Sequence, residues 1–314
     1  MAARATRSAS RKARIAEAVA TGPLGALSHD ELGVIFDGLA DPLQPVLAVA
    51  LSSTCLGLRT PLRAALEVLQ ERHARAAALC RKIGHSWAPV YRGHRSRLDP
   101  CTCARLHDAE RVQLSCRGFT ANDMATLGML LAKWLPRLQQ IWFHQNPIGD
   151  EGMHALCEGL GHGTATSLSV LILMENQFGP SGAEALAAAL RRGAMPKLIG
   201  LNLDDNHIGN QGIAALAAPL RKLPLLDELV LRGCRIEDVG VVSLVGNLGK
   251  DDFKALKTLL LDDNEMTDAG FSRIASAFKG GAMPKLESLD VDGNDASKEA
   301  HDDVYDALER RADE

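Results

Sequence analysis

Residues of the zinc-binding types are concentrated in one stretch, where Cys80, His85, His94, Cys101, Cys103 and His107 fall within 28 positions. Zinc takes Cys and His in tetrahedral sets, and Cys101-x-Cys103-x3-His107 supplies three such side chains. The C-x2–4-C pair of structural zinc sites is missing, so these residues read as ordinary cap residues and no metal is expected. The run Asp290, Asp292, Asn294 and Asp295 has the rhythm of a calcium loop. Its sixth position is Asp295 instead of Gly and its twelfth is His301 instead of Glu, which argues against calcium. Gly159, Gly161 and Gly163 alternate ahead of a strand instead of opening a helix, so they form a loop. No P-loop, H-E-x-x-H, G-x-S-x-G or G-x-G-x-x-G occurs. The expectation is no catalytic residue, no metal and no cofactor.

Composition narrows the remaining classes. The chain has 314 residues, 46% hydrophobic, 24% charged and only 4% aromatic. That hydrophobic fraction excludes global disorder, and no run approaches the ~18 apolar residues of a membrane span, so no membrane partner is expected. Leu, Ala, Val and Ile with few rings suggest thin stacked layers. Seven cysteines at no disulfide-like spacing read as reduced thiols, hence a cytoplasmic or nuclear protein. Residues 1–22 form a basic tail with Arg4, Arg7, Arg11, Lys12 and Arg14, resembling a transit peptide or nuclear-type segment as well as a plain solvated tail. Residues 1–108 carry a charge balance of +6 and residues 109–314 one of −10. The acidic half argues against nucleic acid, whose phosphates need clustered cations. Arg92, Arg95 and Arg97 beside Trp87 and Tyr91 read as a solvated basic linker within 85–108.

The acidic half is periodic. Leu168, Leu171, Leu173 and Asn176 set the pattern L-x-x-L-x-L-x-x-N, which recurs at Leu198 to Asn206 and Leu256 to Asn264. Conservative copies occupy Leu138 to Asn146 and Leu286 to Asn294. The copy at Leu226 has Cys234 in the Asn place, and a degenerate seventh lies at Val112, Leu114 and Phe119. Successive starts are 28 or 30 residues apart. Behind each Asn, period-2 apolar spacing gives way to period 3.6, so each unit reads as strand, turn and amphipathic helix. Pro136, Pro196, Pro224 and Pro284 stop the helix before the next strand. One unit cannot bury its apolar face alone, and stacking makes a continuous core. The Asn side chains are expected to form a ladder that satisfies backbone groups leaving each strand.

These motifs resemble the leucine-rich repeat family, in its roughly 28-residue strand–helix subtype seen in ribonuclease inhibitor. The resemblance covers residues 109–308 in about seven units, followed by a tail at 309–314. It implies an α/β solenoid, a right-handed β-α superhelix with a parallel concave sheet, preceded by an α-helical segment.

That helical segment spans 23–84. Ser28-His29-Asp30-Glu31 is a capping box, after which Leu32, Ile35, Phe36 and Leu39 share one helical face. A second apolar run follows from Val46 to Leu51, and Pro61 opens a third helix ended by Gly84. The stretch resembles an F-box, L-P-x-E-L-x-x-x-I-F-x-x-L followed by an apolar helix and a Cys. Leu27, Glu31, Leu32, Ile35, Phe36, Leu39, Leu47 and Cys55 match that outline. Ser28 replaces its proline, Pro45 interrupts the second helix, and no tryptophan follows Cys55. The resemblance implies docking of Leu27, Leu32, Ile35, Phe36, Leu39 and Leu47 on the Skp-type linker of a cullin–RING ubiquitin ligase. A helical cap over the first repeat explains the same residues.

Strand alternation then selects the face left for a partner. One file of side chains reads Gln113, Trp142, Ile172, Asn202, Val230, Leu260 and Asp290. Its neighbour reads Ser115, His144, Met174, Asp204, Arg232, Asp262 and Asp292. The apolar members Trp142, Ile172, Val230 and Leu260 are expected to form an exposed strip rimmed by acids, the mark of an interaction site. The expected function is therefore a monomeric, non-enzymatic ligase adaptor that presents an unknown substrate protein. A stand-alone scaffold remains open. So does a GTPase-activating protein, because activators of the Ran GTPase resemble this repeat subtype; there Asn206, Arg232 or Arg235 would act at a loop edge.

Overall fold

The computed structural model describes residues 32, 35–37, 39–53, 62–84, 101–249 and 251–312. Leu27, Ser28, Cys55, His85 and His94 lie outside them. The chain divides into two compact units, residues 1–80 with 102–104, and residues 81–101 with 105–314. Among the described residues no helix is long and apolar enough to cross a membrane.

In the first unit residues 32, 35–37 and 39 are helical, followed by α1 (Val46–Ser53) and the start of α2 (Arg63–Ile83). Leu32, Phe36, Ala40, Ala48, Leu62 and Leu69 close on one another as a small core, with Leu39, Ala65 and Leu66 packed at its edge. This corrects the docking expectation. Leu32 and Phe36 are 4% and 1% exposed, because the helical stripe that matches the F-box outline packs against Ala48, Leu62 and Leu69 and holds these helices together. Ile35 is half-buried. Among the described members of the set, Leu47 faces solvent at 64% exposed. Pro45 does not interrupt a helix either. It precedes α1, and its carbonyl accepts the helix's early hydrogen bond from the Val49 amide at 3.0 Å. A proline lacks the donor that a helix start leaves unpaired anyway. Gly84 ends α2 in the left-handed region at φ +59°, as its spacing predicts. The Cys80 and Cys103 sulfurs lie 3.9 Å apart.

The second unit is the repeat array. After α3 (Cys103–His107) come β1 (Arg111–Gln113), α4 (Ala121–Lys133), β2 (Gln140–Trp142), α5 (Gly149–Cys157), β3 (Val170–Ile172) and α6 (Pro180–Arg191). Then follow β4 (Gly200–Asn202), α7 (Gly209–Arg221), β5 (Glu228–Val230), α8 (Asp238–Val245), β6 (Thr258–Leu260), α9 (Asp268–Lys279), β7 (Ser288–Asp290) and α10 (Lys298–Ala312). The seven strands form one parallel sheet in sequential order β1 to β7. Each strand with the helix that follows it makes one turn of an α/β solenoid, and the degenerate copy at Val112 supplies β1. The last helix runs to Ala312, past the boundary expected at 308, because Val304 and Ala307 anchor it by burial.

The inward Leu of every copy are buried, and the expected ladder is present. Asn176 Nδ2 donates to the carbonyls of Phe143 (2.6 Å), Leu173 (2.7 Å) and Met174 (3.1 Å), and its Oδ1 accepts from the Asn146 amide at 3.1 Å. Asn146, Asn206, Asn264 and Asn294 repeat the arrangement. Cys234 replaces it with a thiol that donates to Leu203 O at 3.3 Å. Burial pushes that thiol's pKa up, so it stays a neutral donor.

A second ladder lies at the helix starts. Asp150 Oδ1 accepts from the amides of Gly179 and Gly182, Asn210 Oδ1 from Glu237 and Gly240, and Asp238 Oδ1 from Thr267 and Gly270. The starts of α6, α8 and α9 are thus capped by a side chain of the repeat before, which satisfies orphan donors across the repeat boundary.

Candidate functional site

The strand register aligns the first file across the sheet. Gln113 pairs with Trp142, Trp142 with Ile172, Ile172 with Asn202, Asn202 with Val230, Val230 with Leu260, and Leu260 with Asp290. The ladder continues one step past each strand. The Cys116, Gln145, Glu175, Asp205, Gly233 and Asp263 amides donate to the carbonyls of His144, Met174, Asp204, Arg232, Asp262 and Asp292. The second file therefore runs beside the first.

The face is not one apolar strip. Trp142 is 43% exposed, and Ile172, Met174 and Leu260 are half-buried. Val230 is only 6% exposed, against the expectation. It is a short side chain between the longer Asn202 and Leu260 of the flanking strands, so its neighbours screen it from solvent. Asp204 is likewise 8% exposed, held by the Arg232 amide at 2.9 Å and by Asn202 Nδ2 at 3.1 Å. It shapes the sheet more than it offers itself to a partner. What remains is an apolar end at Trp142, Ile172 and Met174, and an acidic end at Asp262, Asp290 and Asp292.

A third file is not apparent from the strand pattern. The residue before each ladder position is left-handed: Gln145 (φ 57°), Glu175 (54°), Asp205 (51°), Gly233 (61°) and Asp263 (53°). The signal in the sequence is position alone, one residue before each Asn or its Cys234 substitute. Cys116 Sγ–H donates to Gln145 Oε1 at 3.0 Å, and Gln145 Nε2 donates to the Glu175 carboxylate at 3.1 Å. Glu175, Asp205 and Asp263 extend the acidic rim. Arg232, exposed at its centre, reaches Asp262 at 3.1 Å and Asp263 at 2.6 Å.

Crowded carboxylates leave a titration signature. Burial, then the neighbouring acids, raise Asp204 above the ordinary 3.8, and burial and Asp290 do the same to Asp262. Between 3.8 and the raised values the folded chain binds more protons than the unfolded one. The stability these groups contribute is thus full below 3.8 and is lost as pH rises through their folded values. Asp262→Asn is expected to flatten the fall in urea midpoint as pH rises above 3.8 without lowering the midpoint at neutral pH. An unchanged slope counts against the crowding.

Chemistry on this face is limited. Ser115 Oγ and His144 Nδ1 share a hydrogen bond of 2.7 Å. Among the described residues no carboxylate is hydrogen-bonded to that imidazole, so the pair lacks the acid that orients a catalytic base. Asn206 is fully buried in the ladder and cannot reach a GTPase, which removes it from the expected loop-edge set. Arg235 is exposed in a left-handed turn, and Arg232 is tied to two carboxylates.

Residues 164–187, 194–217 and 222–245 each match the leucine-rich repeat family model. Three solved structures are similar to part of the chain. One is the Rad7–Elc1 complex of yeast, at 11% identity and TM-score 0.37, covering 64% of this chain and 54% of that one. The second is a TLR13–ssRNA13 complex, at 17% identity and TM-score 0.31, covering 64% and 32%. The third is an internalin of Listeria monocytogenes, at 13% identity and TM-score 0.19, covering 67% and 88%. The chain spans about half the length of the Rad7–Elc1 chain it matches. No curated protein sequence matches it significantly.

Proposed function

We propose that these leucine-rich repeats serve a non-enzymatic interaction module whose concave sheet holds a partner protein, and that the helical segment ties the module to a ubiquitin-ligase linker. The observation that carries the first half is the aligned register of Trp142, Ile172 and the residues beside them, an apolar end on a sheet face that needs no core there. An exposed tryptophan backed by rigid strands is the kind of anchor that dominates interface energetics. Trp142→Asp in the full chain is expected to abolish capture of the partner that wild-type protein retains, with an unchanged urea midpoint. Equal capture by the variant counts against the concave face.

The second half rests on the F-box resemblance and on Leu47, 64% exposed on α1 beside Val46 at 73%. Because Leu32 and Phe36 form the core, the informative variant is Leu47→Asp. Full-length protein is expected to bind a purified Skp-type linker and Leu47→Asp to lose it. No binding by wild type makes the helices a cap and leaves the interaction module standing.

A further inference from the structure

The concave face has a chemical polarity that constrains what it holds, an argument that rests on the interaction reading above. Its β2–β3 end presents Trp142, Ile172 and Met174. Its β6–β7 end presents Asp262, Asp263, Asp290 and Asp292. The face already seats one guanidinium: Arg232 projects from the neighbouring repeat into the carboxylates of Asp262 and Asp263, at 3.1 and 2.6 Å. The next register along carries Asp290 and Asp292. Asp290 Oδ1 there accepts the Asp292 amide, and His301 Nδ1 lies 3.8 Å from Asp292. Among the described residues no three His, Cys, Asp or Glu side chains converge on a point that a metal ion could occupy. Spread carboxylates of this kind suit a chain of separated cations better than a single ion, and they repel a phosphate backbone.

We infer that the concave face selects an extended cationic segment of a partner protein, with an apolar residue against Trp142, Ile172 and Met174 and arginines or lysines against Asp290 and Asp292. The sheet sets the length. Four strand spacings of ~4.8 Å separate β3 from β7, roughly 19 Å, the span of about six extended residues. The apolar and basic positions of the segment therefore lie about six residues apart. Charge complementarity sets the composition, since truncating one partner of a desolvated charge pair weakens a complex far more than removing a rim charge.

The test uses the full chain and three fluorescein-labelled twelve-residue peptides. One has a leucine followed six positions later by three arginines; in the others glutamine or glutamate replaces the arginines. Fluorescence anisotropy is expected to show the arginine peptide binding about tenfold or more tighter than the glutamine peptide, with affinity falling as salt rises. The D290N/D292N variant is expected to lose that preference, and Trp142→Ala to weaken all binding. A glutamine peptide that binds as tightly as the arginine peptide, and is lost with Trp142→Ala, overturns the cationic selection and leaves the concave docking face intact. Arginine-peptide binding unaffected by either variant places the site elsewhere and overturns both. No binding by any peptide overturns the inference, while partner capture by wild type and its loss in Trp142→Asp still judge the docking face separately.

Discussion

Asn176→Ala is expected to lower the unfolding free energy by about 4 kcal/mol, as buried donors and acceptors left unpaired cost roughly 1–3 kcal/mol each. The side chain is fully buried and sits at the centre of the ladder. Its amide serves the carbonyls of Phe143, Leu173 and Met174, and its carbonyl oxygen takes the Asn146 amide of the preceding repeat. Alanine removes all four bonds and leaves a polar cavity between two Leu layers. Met174 O keeps the Gln145 amide at 3.2 Å and is not left unpaired, which is why the expected figure lies at the low end of the sum. Urea denaturation with the slope held constant reads it directly. A loss under about 1 kcal/mol, the worth of an ordinary exposed hydrogen bond, means the ladder does not hold the repeats together. Asp at the same position is the sharper control. It keeps the acceptor for Asn146 but places carboxylate oxygen against carbonyl oxygens, so it is expected to be at least as damaging.

Gly212→Ala is the second large effect, and here two terms of opposite sign compete. Gly212 lies in the first turn of α7, where alanine improves helix propensity by up to about 1 kcal/mol. A Cβ there meets Ile208 Cγ2 at 2.5 Å, Ala183 Cβ at 2.9 Å and Pro180 Cα at 3.3 Å. Ile208 can turn away. Ala183 and Pro180 cannot, because a Cβ and a Cα move only with the backbone of α6. The repeats must separate locally, and overpacking of a buried contact costs about 1–3 kcal/mol or more. The net expectation is a loss of about 2 kcal/mol, read as a lower urea midpoint. A gain in stability means the interface between α6 and α7 is softer than its spacing implies. The same reasoning applies at Gly182, where Phe178 Cβ and Met153 Cβ lie 2.9 and 3.1 Å from the added atom.

The fold was legible because its determinants repeat. Leu168, Leu171, Leu173 and Asn176 state a strand, its buried side and its exit, and the next copies restate them every 28 or 30 residues. A period-2 pattern fixes which side chains share a face, so the files through Trp142 and His144 follow from the sequence and the register confirms their alignment. The Asn ladder is readable for a related reason: a polar residue recurring amid buried Leu must satisfy backbone, since nothing else is within reach. Gly152, Gly182, Gly212, Gly240 and Gly270 recur four residues after Ile148, Phe178, Ile208, Ile236 and Met266, and that recurrence is plain in the sequence. Its meaning, close packing beneath the preceding repeat's cap, is not.

What the sequence could not supply is exposure, because exposure depends on neighbours 28 or 30 residues away and on the side chains they extend. Val230 and Asp204 occupy the same strand positions as the open Trp142 and Arg232, yet both are covered. Leu32 and Phe36 match a docking motif and are consumed by their own small core with Ala40, Ala48, Leu62 and Leu69. The left-handed file of Glu175, Asp205 and Asp263 has no apolar periodicity to announce it. Its acids gather on one rim only when the strands stack. Periodicity along the chain determined the architecture and the order of every residue across the sheet. Packing between repeats decided which of those residues a partner can touch, because solvent access is a property of the assembled surface and no local pattern encodes it.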